Sequence, residues 1–102
     1  MNDSVYIRQG KTRALNITEA KVVAVVPADF AVAHCRIVRV QVLVPGSAPG
    51  AVYDAATAAG NSVENQVGAV PSAIGSYLID MPCKFGILVV PGAGQTLAVS
   101  YD

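Results

Sequence analysis

The chain has 102 residues, 53% apolar and 14% charged, with seven basic and seven acidic side chains and a formal net charge of zero. That length sets one domain with a thin core, and the charge lies well under the ~25% of an average soluble domain, so part of the apolar surface is expected to be covered by partner subunits. The balance excludes the basic footprint of a nucleic-acid binder, and no run reaches the ~18–20 apolar residues of a membrane helix, the candidates being broken by Pro27, Asp29, His34 and Arg36.

The opening residues, MNDSVYIRQG, are polar and lack the apolar stretch of a secretory signal, which predicts a product that stays in a soluble compartment. Residues 1–19 are weakly patterned and read as an N-terminal arm or edge strand, with Val5, Tyr6, Ile7 and Arg8 free to pair on this chain or a neighbour. Residues 20–102 read as a single β-sandwich domain. The run AKVVAVVP at 20–27 is a strand ended by Pro27. RIVRVQVLV at 36–44 alternates, which places Val38, Val40, Val42 and Val44 on one face and Ile37, Arg39, Gln41 and Leu43 on the other. Pro45 and Gly46 stop it. A loop, PGSAPG, leads to a short strand at 50–55.

Residues 54–67 tempt a helix, but Gly60, Asn61 and Ser62 break it, so one short helix or none is expected. GSYLIDMP at 75–82 alternates again, GILVVP at 86–91 is a continuous buried-type run, and TLAVSYD at 96–102 puts Leu97, Val99 and Tyr101 on one face. The closing GILVVPGAGQTLAVSYD therefore reads as two antiparallel strands joined by a Pro-Gly turn, with Gly92 and Gly94 present for their backbone angles. The connections are too short for parallel crossovers, so the expected fold is all-β: an antiparallel β-sandwich or jelly roll with an extended N-terminal segment.

No catalytic constellation emerges. The PGAGQT loop lacks the third glycine and the following helix of a dinucleotide site, since Leu97 opens a strand instead. Gly10-Lys11-Thr12 lacks the upstream glycine of a phosphate loop, that position being Val5. His34 and Cys35 are chain neighbours in a strand and point to opposite faces, so they do not form a base–nucleophile pair. Cys35 and Cys83 are too few for a disulfide framework and read as buried free thiols. Asp29, Asp54, Glu64 and Asp80 are scattered singly, with no zinc-ligand set around Met81 and Cys83. The expectation is a protein that is not an enzyme, with no cofactor, metal or small-molecule substrate and with no nucleic-acid or membrane partner.

Three pieces of the C-terminal half form a pattern: Tyr53-Asp54, the stretch Pro82 to Val89 with Lys84-Phe85-Gly86-Ile87, and Val99-Ser100-Tyr101. Residues 36–102 resemble small virion structural proteins of tailed bacteriophages, of the capsid decoration or cement (head accessory) type. The resemblance implies a small sandwich or jelly roll on the outer capsid shell. It would bridge major capsid subunits and associate with copies of itself, as a homo-oligomer made in the host cytoplasm. The expected contact residues are Val5, Tyr6, Ile7 and Arg8, then Pro45 and Pro49 in one loop and Asn61 in another. The alternative is a head-fibre, tail-fibre or tail accessory module for attachment or glycan binding, against which the absence of tryptophan counts.

Overall fold

The computed structural model describes residues 12–26 and 35–102. The described residues form eight strands: β1 (Thr12–Ile17), β2 (Lys21–Val25), β3 (Cys35–Val44), β4 (Gly50–Tyr53), β5 (Gln66–Val70), β6 (Gly75–Cys83), β7 (Gly86–Val90) and β8 (Thr96–Tyr101). Two single 3₁₀ turns, Ala58–Gly60 and Val63–Asn65, lie between β4 and β5. The order is β1-β8-β3-β6 in the first sheet and β2-β7-β4-β5 in the second, with every neighbouring pair antiparallel. Every connection except β4–β5 changes sheet. Eight strands wound this way across two facing sheets make a jelly roll.

The closing segment illustrates the winding. Its two strands lie where the sequence places them, but they do not pair with each other. β7 sits between β2 and β4 in the second sheet and β8 between β1 and β3 in the first. The Pro-Gly turn carries the chain across the sandwich, and a turn of that composition permits a corner as readily as a hairpin.

The core lies between the sheets. Ile37, Val40, Val42, Leu97 and Val99 from the first meet Val52, Val70, Ile87 and Val89 from the second. β7 is the strand buried on both faces, since Gly86 through Val89 are all buried, as its unbroken apolar run requires. Tyr101 ties the layers directly, its hydroxyl donating to the carbonyl of Val23 at 3.0 Å.

β3 departs from simple alternation. Ile37 shares the core with Val40 and Val42, whereas Val38 lies outside that cluster and Val44 is exposed. The cause is a bulge fanned across the sheet. From Ile37 to Arg39, β3 advances two residues while β6 advances three (Met81 to Leu78) and β8 one (Tyr101 to Ser100). The extra length on β6 is taken up at Asp80, which adopts φ 52. β1 has the same device, its bulge between Ala14 and Ile17 containing Asn16 at φ 57. Asp and Asn tolerate the left-handed region better than other side chains. Arg36 pins the Asp80 bulge, its Nη1 donating to Asp80 Oδ1 at 2.9 Å and to the Asp80 carbonyl at 3.3 Å.

Candidate functional site

A jelly roll has two ends where its loops gather, and each end here is organised by one polar side chain. The first is Asp54, which follows β4. Its Oδ1 accepts the Phe85 N–H at 2.8 Å and the Gly86 N–H at 3.4 Å, and its Oδ2 accepts the Lys84 N–H at 3.0 Å. One carboxylate thus holds the whole β6–β7 turn. The Phe85 carbonyl in turn accepts the Val26 N–H at 3.0 Å, which links the turn to the end of β2. The long β4–β5 loop is closed at its neck, the Asp54 N–H donating to the Asn65 carbonyl at 2.8 Å. Asn65 Nδ2 reaches back to the Gly60 carbonyl at 3.1 Å. Such a self-contained loop is a compact Ω-type excursion.

The second organiser is Gln95, only 2% exposed. Its Oε1 accepts the Gly92 N–H at 2.8 Å and its Nε2 donates to the Pro71 carbonyl at 2.7 Å. The β7–β8 and β5–β6 loops are thereby joined. The β3–β4 loop is drawn in by Gly46 N–H to Ser72 carbonyl (3.1 Å) and Ser47 N–H to Ala93 carbonyl (2.9 Å). Within the β7–β8 loop, Gln95 N–H donates to the Gly92 carbonyl at 3.0 Å and closes a four-residue turn with Gly94 at φ 83. That positive angle at the third position is the type II signature. The two glycines have different reasons. Gly94 supplies the angle, whereas Gly92 supplies room, because a Cβ there would overlap the Ala48 carbonyl oxygen. A Cβ on Gly94 would meet only Gly46 Cα at 3.8 Å, so Gly94→Ala should cost only the left-handed strain, about 1 kcal/mol by urea unfolding.

Cys35 and Cys83 are both free thiols and face each other across β3 and β6. Cys83 is fully buried in the core, whereas Cys35 is half-buried. Burial pushes the Cys83 thiol from its ordinary value of 9.0 up to about 12, with the Asp54 carboxylate and Cys35 adding to the rise. Cys35 is raised in the same sense, again mainly by burial and then by Asp54. A raised folded value means that the stability from Cys83 is whole below pH 9.0 and is lost as the pH climbs toward 12. At pH 10 the loss is roughly 1.4 kcal/mol relative to pH 8. Urea unfolding under reducing conditions should show it, and Cys83→Ala should flatten that part of the pH slope.

Of the residues expected from the sequence to make contacts, the three that are described lie at the two ends of the sandwich. Pro45 and Pro49 are exposed in the β3–β4 loop at the Gln95 end. Asn61 is exposed between the two 3₁₀ turns at the Asp54 end, beyond the opposite terminus of β4. Val5, Tyr6, Ile7 and Arg8 lie outside the described residues, as does His34. In the sequence Asp54 is one of several isolated carboxylates, and Gln95 carries no signal of its role. The signal for Asp54 was present, because the turn it clamps belongs to the same pattern as Tyr53-Asp54.

The described residues thus form an eight-stranded jelly-roll module in which Asp54 and Gln95 serve the loops at the two ends. No protein-family model, curated protein or solved structure matches the chain.

Proposed function

We propose that the protein is a bacteriophage virion structural protein of the capsid decoration or cement type, which binds the outer shell and bridges major capsid subunits. The observation that supports this reading is the meeting of two pieces of the resemblance. Tyr53-Asp54 and Lys84-Phe85-Gly86 are far apart in sequence, yet the Asp54 carboxylate holds the backbone of the second piece. They do so within a jelly roll, an architecture that virus shells use. The large apolar side chains left exposed, among them Leu78 at 63%, Leu15 and Ile74, suit a module covered in use by other subunits.

The action would be mechanical. Each copy adds a modest contact energy, and repetition over a lattice, reinforced by association between copies, multiplies it. The test is co-sedimentation with shells assembled from a phage major capsid protein, together with the heat resistance of those shells. Saturable binding that raises the shell's disruption temperature is expected. Purified protein that neither binds shells nor self-associates in sedimentation equilibrium would overturn the proposal.

A further inference from the structure

We infer that the outer face of the first sheet is the contact face, and that its partner is a protein surface presenting carboxylates beside aliphatic side chains. The inference rests on the decoration reading and adds to it where the contact lies and what chemistry it takes. The register aligns Arg13 on β1, Ser100 on β8, Arg39 on β3 and Leu78 on β6 in one row across this face. The next row runs from Ala98 to Gln41 to Ser76. Small side chains on the central strand β8 thus lie between long ones on β1 and β3. The result is an open groove of about 220 Å³ lined by Arg13, Leu15, Arg39, Gln41, Ala98 and Ser100. Leu15, in the groove, and Leu78, beside Arg39 on β6, are more than half exposed.

Neither Arg13 nor Arg39 is in an ion pair among the described residues. Among the described residues the one ion pair joins Arg36 and Asp80. Among the described residues Arg39 reaches only Ser76 Oγ, at 3.4 Å, and Arg13 makes no side-chain hydrogen bond or ion pair. Two guanidinium groups on strands about 10 Å apart, with leucines beside them, match a surface of carboxylates and aliphatic groups.

The other occupants fit less well. A second copy docked face to face about a two-fold axis would set arginines against arginines. The chain preceding β1 carries Arg8 and Lys11 against a single acid, Asp3, and so has the same sign as the groove. A small anion is a poor match for an open trough, where an ion stays hydrated and its attraction to exposed charges is screened. The face itself spans roughly 400 Å², about half of what one partner buries in a standard interface, so a single contact is weak and suits repetition on a lattice.

The test measures shell binding for the wild-type chain and two variants with equal changes in net charge. R13E/R39E alters this face, whereas K21E/K84E places its charges on β2 and on the β6–β7 turn. Urea midpoints establish that each variant is folded. R13E/R39E should bind at least tenfold more weakly and K21E/K84E about as well as wild type, with wild-type affinity falling between 50 and 300 mM salt. Leu78→Glu is a second, milder probe expected to weaken binding in the same direction. Unchanged binding by R13E/R39E would overturn the inference and leave the decoration reading standing, and equal weakening by both charge variants would overturn the choice of face. Competition by 10 mM inorganic phosphate at constant ionic strength would replace the protein partner with a small anion. A change confined to self-association in sedimentation equilibrium would replace it with a second copy. If the wild-type chain binds no shell, both readings fall together.

Discussion

Replacing Asp54 by alanine is expected to cost about 3 kcal/mol of stability and roughly 15 °C of melting temperature. The variant removes the common acceptor of three backbone N–H groups, those of Lys84, Phe85 and Gly86. A hydrogen bond to a charged acceptor contributes ~1.5–3 kcal/mol when it is well shielded, and the half-buried setting of Asp54 lowers the sum of three to the figure given. The loss is more than local, because the Phe85 carbonyl also anchors Val26 and Gly86 begins the most buried strand. Asp54→Asn retains one acceptor but turns an amide donor toward another N–H, so it should cost about half as much. Urea unfolding gives the totals, and hydrogen exchange gives the location. The amides of 84–86 should exchange faster in both variants under conditions where β3 and β8 remain protected. A change below 0.5 kcal/mol would mean that the turn holds its shape unaided.

What could be read from the chain depended on whether one strand or several were needed to see it. β3, β6 and β8 announce themselves by alternation, β7 by an unbroken apolar run, and the boundaries by Pro45, Pro91 and the glycines beside them. β1 is an edge strand exposed along most of its length, so TRALNI carries no alternation to detect. β5 has Gly68 at its centre because Ile79 packs onto that spot, where a Cβ would come within 2.7 Å of it. A glycine chosen for a neighbour's side chain looks like a breaker when the neighbour is unknown. The bulges left a trace, an Asn and an Asp within strands, but the shift they cause in β3 depends on how β6 and β8 are paired with it. Topology left the least trace, since a Pro-Gly corner between sheets and a Pro-Gly hairpin have the same composition. The groove on the first sheet is hidden for the same reason: Arg13 and Arg39 become neighbours only once Ser100 lies between them.

The other large effect belongs to Gln95. Gln95→Leu keeps nearly the same volume in a side-chain position that is 2% exposed, but it takes the partner from the Gly92 N–H, on a half-buried residue, and from the Pro71 carbonyl, on an exposed one. A backbone group stranded away from water costs ~1–3 kcal/mol and one that water reaches costs less, so about 2 kcal/mol is expected, a sizeable share of the ~5–15 kcal/mol available to a domain of this size. Gln95→Glu separates the polar role from the packing role. The new side chain can still accept from Gly92, but once ionised it sets a buried negative charge against the Pro71 carbonyl oxygen. When protonated it donates to that oxygen as the amide does. Burial therefore raises the folded pKa of the introduced carboxyl. Its stability is whole below the unfolded carboxyl value and is lost as the pH rises through the raised one. The variant should approach wild type in mild acid and fall away toward neutral pH, whereas Gln95→Leu should stay low at every pH. Urea unfolding at several pH values distinguishes the two patterns. A Gln95→Glu curve parallel to wild type would show that the side chain reaches water and that the three loops around it are held by backbone contacts alone. In the expected case, the glycine-rich turn owes its shape to one buried amide.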